Sequence, residues 1–272
     1  KPLISLKKLI EESKIELPAG LPPMASGIFG YMGYDSVRLS EDIPDNNEDE
    51  LKVPDGLFLR PTLICIFDRL EEIVTVVTPV WPDKGISPSS AFEGAITRLK
   101  DATANFQRSL PYRREKQPSN TNIQEPSSNT TREEFHQMVK TAKEYITAGD
   151  IFQVVPSQRF SVPFDLPPMA LYRSLRRLNP SPYLFFFDFG EFSIVGSSPE
   201  ILVTLKDDTV TLRPLAGTRP RGTSPEKDKA LAKELIEDPK ERAEHLMLLD
   251  LGRNDVGRVS KIGSVKVIEQ FE

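Results

Sequence analysis

Glu241 and Glu244 stand three residues apart in Asp238–Asp255, DPKERAEHLMLLDLGRND, and their spacing is the most direct suggestion of chemistry in this chain. On a helix, residues at i and i+3 share a face, and two carboxylates there repel unless a cation lies between them. Mg²⁺ suits that position, because it takes oxygen ligands and commonly uses only one or two carboxylates plus substrate and water. A plainer reading stands beside it, in which Glu241 caps and Glu244 is solvated, since acids in a first helical turn are favoured by the helix dipole. Either reading needs a helix, and the signals for one are present. Asp238 is an N-cap residue, Pro239 suits the first turn, and Glu241 falls three after the cap as in a capping box. Ala243, Leu246, Met247 and Leu249 supply its apolar bulk.

Arg213–Gly222, RPLAGTRPRG, is a second concentration of chemistry-bearing residues. Arg213, Arg219 and Arg221 surround Gly217 and Thr218 at a strand end, a local excess of positive charge in a chain of net charge −5. Gly217 permits close approach of backbone to a ligand, and the Thr218 hydroxyl can donate to a carboxylate. The alternative is a solvated turn. In Gly196–Glu200, GSSPE, Glu200 is either an acid at a sheet end or, if buried enough to raise its pKa, a general acid. No Ser/His/Asp arrangement, zinc spacing or dinucleotide fingerprint is present. His136 and His245 are too few for a histidine-rich metal centre, and His136 reads as a boundary residue.

The elements that must position these residues follow from periodicity. Met24–Tyr34, with glycines at 27, 30 and 33, reads as a buried strand closely approached by another backbone, and Asp35 and Arg38 as a structural pair. Leu57–Phe67 and Ile73–Thr78 form a hairpin signal about the turn Asp68–Glu72. Ser87 and Pro88 open a helix striped by Phe92, Ile96, Leu99 and the alanines at 91, 95 and 102. Thr130 with Glu133, or Thr131 with Glu134, makes a capping box for a helix that Gly149 ends. Asp150–Phe160 reads as a strand interrupted at Pro156, and a short helix with Leu171, Leu175 and Leu178 follows Pro167 and Pro168. Hairpins are expected over Leu184–Val195, turning at Gly190–Glu191, and over Ile201–Leu212, turning at Asp207–Asp208; Ser224 and Pro225 then open another helix. Helices and antiparallel hairpins in blocks, without βαβ regularity, predict an α+β fold of antiparallel sheets with helices packed outside.

At 272 residues, 38% hydrophobic and 28% charged, the chain is long enough for one large domain or two. Pro, Ser, Asn, Thr and basic residues dominate between Gln107 and Asn129, which divides the chain into an N-terminal region at 1–107, a flexible linker at 108–129 and a second region at 130–272. No apolar run approaches the roughly 20 residues that span a bilayer. The single cysteine, Cys65, lies in an apolar run, reads as a buried small hydrophobe, and fits a reducing, cytoplasmic compartment. The acidic balance argues against nucleic acid. Both ends, opening on Lys1 and closing in the alternating stretch Val265–Glu272, read as cut, so an incomplete fold is expected.

IFGYMGYDSVR, GDIFQVVPSQRF, NPSPYLFFFDF, GSSPEILV, RPLAGTRPRG and DPKERAEHLMLLDLGRND, in that order, make the chain closely similar to the chorismate-utilising enzymes. Within them it resembles the anthranilate synthase component I family over essentially its whole length. That resemblance implies conversion of chorismate and ammonia, the latter from a glutamine amidotransferase subunit, to anthranilate and pyruvate in tryptophan synthesis. It implies Mg²⁺ held by Glu244, with Glu241 acting directly or through water, where the ion anchors the substrate's ring carboxylate. It further implies substrate binding at Gly217 and Thr218, and Glu200 as the acid that assists departure of the ring hydroxyl. Asn179, Pro182 and Tyr183 match the family's feedback site for tryptophan, and as a Pro-rich turn they also read as a rigid corner. Gln153 stands where water-using relatives carry a Lys base, and Ala216 where aminodeoxychorismate synthases commonly carry a Lys nucleophile, so both favour anthranilate synthase. Aminodeoxychorismate synthase component I, or a binding module derived from the family without chemistry, are the alternatives. The family's catalytic His, its Gly-Thr-x-Ser-Gly segment and a further metal-binding Glu lie beyond Glu272. Residues 1–272 alone are therefore expected to be inactive, with weak Mg²⁺ or chorismate affinity at most.

Overall fold

In the computed structural model, which describes residues 2–109 and 125–271, short-range signals decide where most elements start and stop. The chain divides into two compact units, Lys1–Glu115 and Lys116–Glu272. The expected linker at 108–129 lies mostly outside the described residues. Its last residues are not linker: β5 (Ser127–Ser128) pairs antiparallel with β6 (Phe160–Ser161), and the Asn129 side chain accepts from the Arg159 N–H at 2.8 Å.

The first unit opens with a helix that the sequence periodicity did not single out, α1 (Pro2–Glu12). Leu3, Leu6 and Ile10 were the available signal. Its C-terminal end is held by the buried Ser13, whose hydroxyl donates to the Leu9 carbonyl at 2.6 Å. Trp81 Nε1–H donates to the Ser13 carbonyl at 3.3 Å, and the Arg60 guanidinium lies 4.5 Å from the Trp81 ring centroid. β1 (Phe29–Met32) pairs antiparallel with β2 (Gly56–Leu59). A Cβ added to Gly30 would meet the Leu57 carbonyl oxygen at 1.9 Å, which is the close backbone approach the glycine spacing predicts; the strand itself is only half-buried. Asp35 and Arg38 pair within the 3₁₀ helix Tyr34–Leu39.

The expected strand Leu57–Phe67 is two strands. Pro61 cannot donate to a ladder, so β2 ends at Leu59 and β3 (Ile64–Asp68) starts a separate hairpin with β4 (Ile73–Val77). Side chains alternate across a strand, and this places Ile64 and Ile66 on the covered face and Cys65 on the open one. Cys65 is therefore exposed, not buried as its apolar neighbours suggest. α2 (Pro88–Gln107) begins where expected, with the Ser87 hydroxyl accepting from the Ser90 N–H, and buries Ala95 and Ala102.

In the second unit, α3 (Arg132–Ala148) carries the Thr131–Glu134 capping box and ends on Gly149 at φ +83°. The strand expected over Asp150–Phe160 is confined to Phe160, because residues 151–159 have no partner strand among the described residues and Pro156 interrupts them. α4 (Pro168–Leu178) packs on β7 (Tyr183–Asp188) and β8 (Ser193–Ser198), which pair over six residues about a turn with Gly190 at φ +86°. β9 (Thr204–Lys206) and β10 (Thr209–Thr211) join through Asp207 and Asp208, both at positive φ as the tight hairpin turn demands. α5 (Pro225–Glu237) and α6 (Pro239–Gly257) close the unit. The sheets of the described residues are two-stranded and antiparallel with helices beside them, the predicted α+β class.

Candidate substrate-anchoring site

Asp238 sits between α5 and α6 and serves both. Its backbone N–H donates to the Glu234 carbonyl at 2.9 Å, the last bond of α5, while its carboxylate accepts from the N–H groups of Lys240 and Glu241 at 2.9 and 3.3 Å. The second half of the expected capping box therefore does not form, because the Asp238 N–H that the Glu241 carboxylate would accept is already used. Glu241 turns instead to Arg219, whose Nη1 donates to its Oε1 at 3.1 Å.

Arg219 reaches all three acids of this corner. Nε donates to Glu234 at 3.1 Å and Nη2 to Asp238 at 2.8 Å, while Nη1 also bonds the Thr218 carbonyl at 3.0 Å. Hydrogen bonds to Glu241 foremost, then to Glu234, hold the guanidinium above its ordinary pKa. The Asp238 carboxyl is held below the usual range by the backbone N–H groups of Glu241 and Lys240, with Arg219 adding to them. Arg221 pairs with Asp228 at 2.7 Å, and Asp228 also accepts from the Gly222 N–H at 2.7 Å. The positive concentration expected at RPLAGTRPRG is thus met largely from within: Arg219 and Arg221 are bound by this unit's own carboxylates.

The arginines nevertheless bring Gly217 and Thr218 to the start of α6. Gly217 has φ +79°, and a Cβ there would lie 3.0 Å from both Glu241 Oε2 and Leu235 Cδ1. Only a glycine places this turn against the helix without strain. Glu244, one turn along α6, is half-buried and has no cation or hydrogen-bond donor among the described residues. A small cleft of 70 Å³ lies between Ala216, Leu235, Ile236, Glu241, Arg242, His245 and Phe271. His245 Nε2 is 2.7 Å from the Gln270 carbonyl oxygen, which gives that histidine a structural partner. A larger groove of 330 Å³ runs beside it between Val210–Ala216, the distal half of α6 and Val265–Gln270, where a Cβ added to Gly252 would lie 3.3 Å from Leu212.

Glu200 lies after β8, exposed, with its N–H donating to the Ser198 hydroxyl at 3.3 Å. No hydrogen bond or ion pair among the described residues joins it to Gly217, Thr218, Glu241 or Glu244. Asn179, Pro182 and Tyr183 form the corner between α4 and β7. The Asn179 N–H closes α4 on the Leu175 carbonyl at 2.8 Å, its carbonyl accepts from the Ser197 hydroxyl at 3.0 Å, and Ser181 ties the turn to Ser198. The rigid corner is therefore built from bonds on both sides, with Tyr183 41% exposed. Among the described residues no group of three or more His, Cys, Asp or Glu side chains is placed to hold a metal. Sequence reasoning missed the bracing role of Arg219. The acids of Glu234–Glu241 next to RPRG were its only local signal.

This geometry, an Arg-braced Gly-Thr turn at the start of an acidic helix in an α+β unit, coincides with a family match. The chorismate-binding enzyme family model covers residues 2–272, and the chain belongs to that family. Among relatives, anthranilate synthase component 1 of Cereibacter sphaeroides is 54% identical over 270 residues, covering 99% of this chain and 54% of the relative. The Pseudomonas putida protein of the same name is 45% identical over 274 residues, covering 99% and 55%. The crystal structure of anthranilate synthase component I from Streptococcus pneumoniae superposes with a TM-score of 0.82 at 36% identity, covering 99% of this chain and 57% of that one. The chain spans about half the length of the relatives it matches. No helix among the described residues is long and apolar enough to cross a membrane.

Proposed function

We propose that this chain forms the substrate-anchoring part of a cytoplasmic anthranilate synthase component 1, which turns chorismate and ammonia into anthranilate, pyruvate and water. The observation that carries this reading is the 54% identity to a protein of that name across 99% of the chain. Ala216 and Gln153 support it further, since neither side chain offers the amine nucleophile or the water-activating base of related chemistries. Gly217 and Thr218 present a backbone surface and a hydroxyl to a substrate carboxylate. Glu200 donates the proton that lets the ring hydroxyl leave as water, which hydroxide alone does poorly. Its exposure in this structure means that the substrate, or polypeptide beyond these residues, must desolvate it for that task.

Glu244 is the side chain best suited to hold Mg²⁺, being a half-buried carboxylate with no cation of its own, and Glu241 reaches such an ion through water because Oε1 is bonded to Arg219. When bound, the ion supplies charge neutralisation and a template for the substrate carboxylate. A glutamine amidotransferase subunit is the proposed ammonia source, and the corner of Asn179, Pro182 and Tyr183 the proposed contact for tryptophan as feedback inhibitor. The test is anthranilate fluorescence from chorismate, ammonium and Mg²⁺ with the gene product that carries this chain. Mg²⁺-dependent anthranilate is expected, abolished by Glu244→Gln with the melting temperature near that of the parent. Formation of a different product, or survival of activity in Glu244→Gln, would refute the corresponding assignment. Residues 1–272 alone are expected to show no turnover.

A further inference from the structure

Arg219 takes no part in the chemistry just proposed, yet all three of its guanidinium nitrogens are committed. Its partners come from three places that must be aligned: Glu234 in the last turn of α5, Asp238 at the junction, and Glu241 in the first turn of α6. The Arg219 and Glu241 side chains are 20% and 21% exposed, so this bond is partly shielded from water, while Glu234 is more open at 61%. A planar fork of donors holds several carboxylates at fixed angles in a way the point charge of a lysine cannot. Nη1 bonds both the Thr218 carbonyl and Glu241 Oε1, so a single nitrogen ties the Gly-Thr turn to the helix start. The other oxygen of Glu241 faces Gly217 so closely that a Cβ there would sit 3.0 Å from it. One oxygen of Glu241 is thereby bonded to Arg219, and the other lies against the Gly217 turn.

We propose that Arg219 is a positioning residue that registers the Gly217–Thr218 turn against α6 by holding Glu241, and so leaves Glu244 as the carboxylate of this face open to a divalent cation. This rests on the chorismate-binding reading above. It separates two acids that spacing alone treats as equivalent: Glu241 anchors the turn and Glu244 meets the ion.

The experiment uses the gene product carrying this chain, with Arg219→Gln, Glu241→Gln, the double variant and Glu244→Gln. Arg219→Gln and Glu241→Gln should each raise KM for chorismate by about tenfold with kcat little changed, as expected for lost ground-state positioning worth one charged hydrogen bond. The double variant should be no worse than either single one, because the two residues act through one contact. Mn²⁺ titration followed by electron spin resonance should show binding lost in Glu244→Gln and retained in the other three. Arg219→Lys should restore the fold without restoring KM. The inference is overturned if Glu241→Gln abolishes Mn²⁺ binding as Glu244→Gln does, or if Arg219→Gln leaves KM unchanged. Should Arg219→Gln fail to fold, Glu234→Gln, which removes the most exposed of the three partners, must raise KM in the same direction, and an unchanged KM overturns the proposal. If the parent protein does not consume chorismate, the function reading fails on its own. Hydrogen exchange at the amides of Gly217 and Thr218 then decides: faster exchange in Arg219→Gln supports the positioning role, and unchanged exchange overturns it.

Discussion

Asp238 shows how one residue can redirect its neighbours. As the C-cap of α5 it spends its N–H on Glu234, and as the N-cap of α6 it spends its carboxylate on Lys240 and Glu241. Glu241 is thereby released from capping, and its carboxylate takes a donor from Arg219 instead. Gly217 is the third member of this arrangement. Its φ of +79°, and the 3.0 Å that would separate an added Cβ from Glu241 and Leu235, make Gly217→Ala strained in backbone and crowded in space. Urea unfolding of Gly217→Ala should show a loss of about 1–3 kcal/mol. A loss confined to a few tenths would mean that the turn relaxes freely away from α6.

Helix starts are the elements most completely set by local chemistry here. In α3 the Thr131 hydroxyl accepts from the Glu134 N–H at 3.2 Å while Glu134 accepts from the Thr131 N–H and hydroxyl, each at 2.8 Å. Thr131→Ala removes one arm of that box and should cost about 1 kcal/mol by chemical denaturation. The same bonds, the Thr131 N–H first, hold the Glu134 carboxyl below its ordinary pKa. Asp238 is lowered likewise by the N–H groups that open α6. A group whose folded pKa is depressed stabilises the fold above its unfolded pKa, because the unfolded chain then takes up protons more readily. Both contributions are therefore present at neutral pH and drain away as pH falls from about 4, the unfolded carboxylate range, through the folded values. Urea midpoints across pH 6 to about 2.5 should fall in the parent, and fall less in Thr131→Ala. Equal slopes would show that the Thr131 hydroxyl contributes nothing through Glu134.

At the scale of the whole molecule, burial is sparse within each unit. Ala25, Ala95 and Ala102 are the buried hydrophobic side chains described in the first unit, and Gly252 is the buried residue described in the second. The described sheets stop at two strands, and such ribbons are marginal until a further strand or helix covers their apolar face. Phe67, on the same open face as Cys65, meets Phe106 edge-on at 6.0 Å and remains 63% exposed. Cys65 therefore reports on that face. In residues 1–272 it should react with a disulfide reagent under native conditions at nearly the rate measured in urea. In the gene product that carries this chain, slower reaction would indicate that polypeptide outside these residues covers the β3–β4 sheet, and slow reaction in residues 1–272 themselves would contradict the open face.

The sequence by itself determined what depends on neighbours in the chain. The Ser87, Thr131, Ser224 and Asp238 caps, the Gly149 stop and the Asp207–Asp208 and Gly190 turns are all encoded within a few residues, since they follow from which backbone donors are orphaned and which φ values are allowed. The order of motifs likewise carried the family, and with it the residues to inspect. Exposure and ion pairing were not legible in the same way, because each is a property of what lies opposite. An apolar run does not say which face of a two-stranded ribbon stays open, so Cys65 reads as buried in sequence and is exposed in the fold. Arg219 and Glu241 are 22 positions apart, and only the fold brings a guanidinium from the RPRG turn past the whole of α5 onto the first turn of α6. That contact turns Glu241 and Glu244 from two carboxylates that spacing treats alike into one bonded to Arg219 and one without a cation among the described residues, through the single N–H of Asp238 that α5 had already claimed.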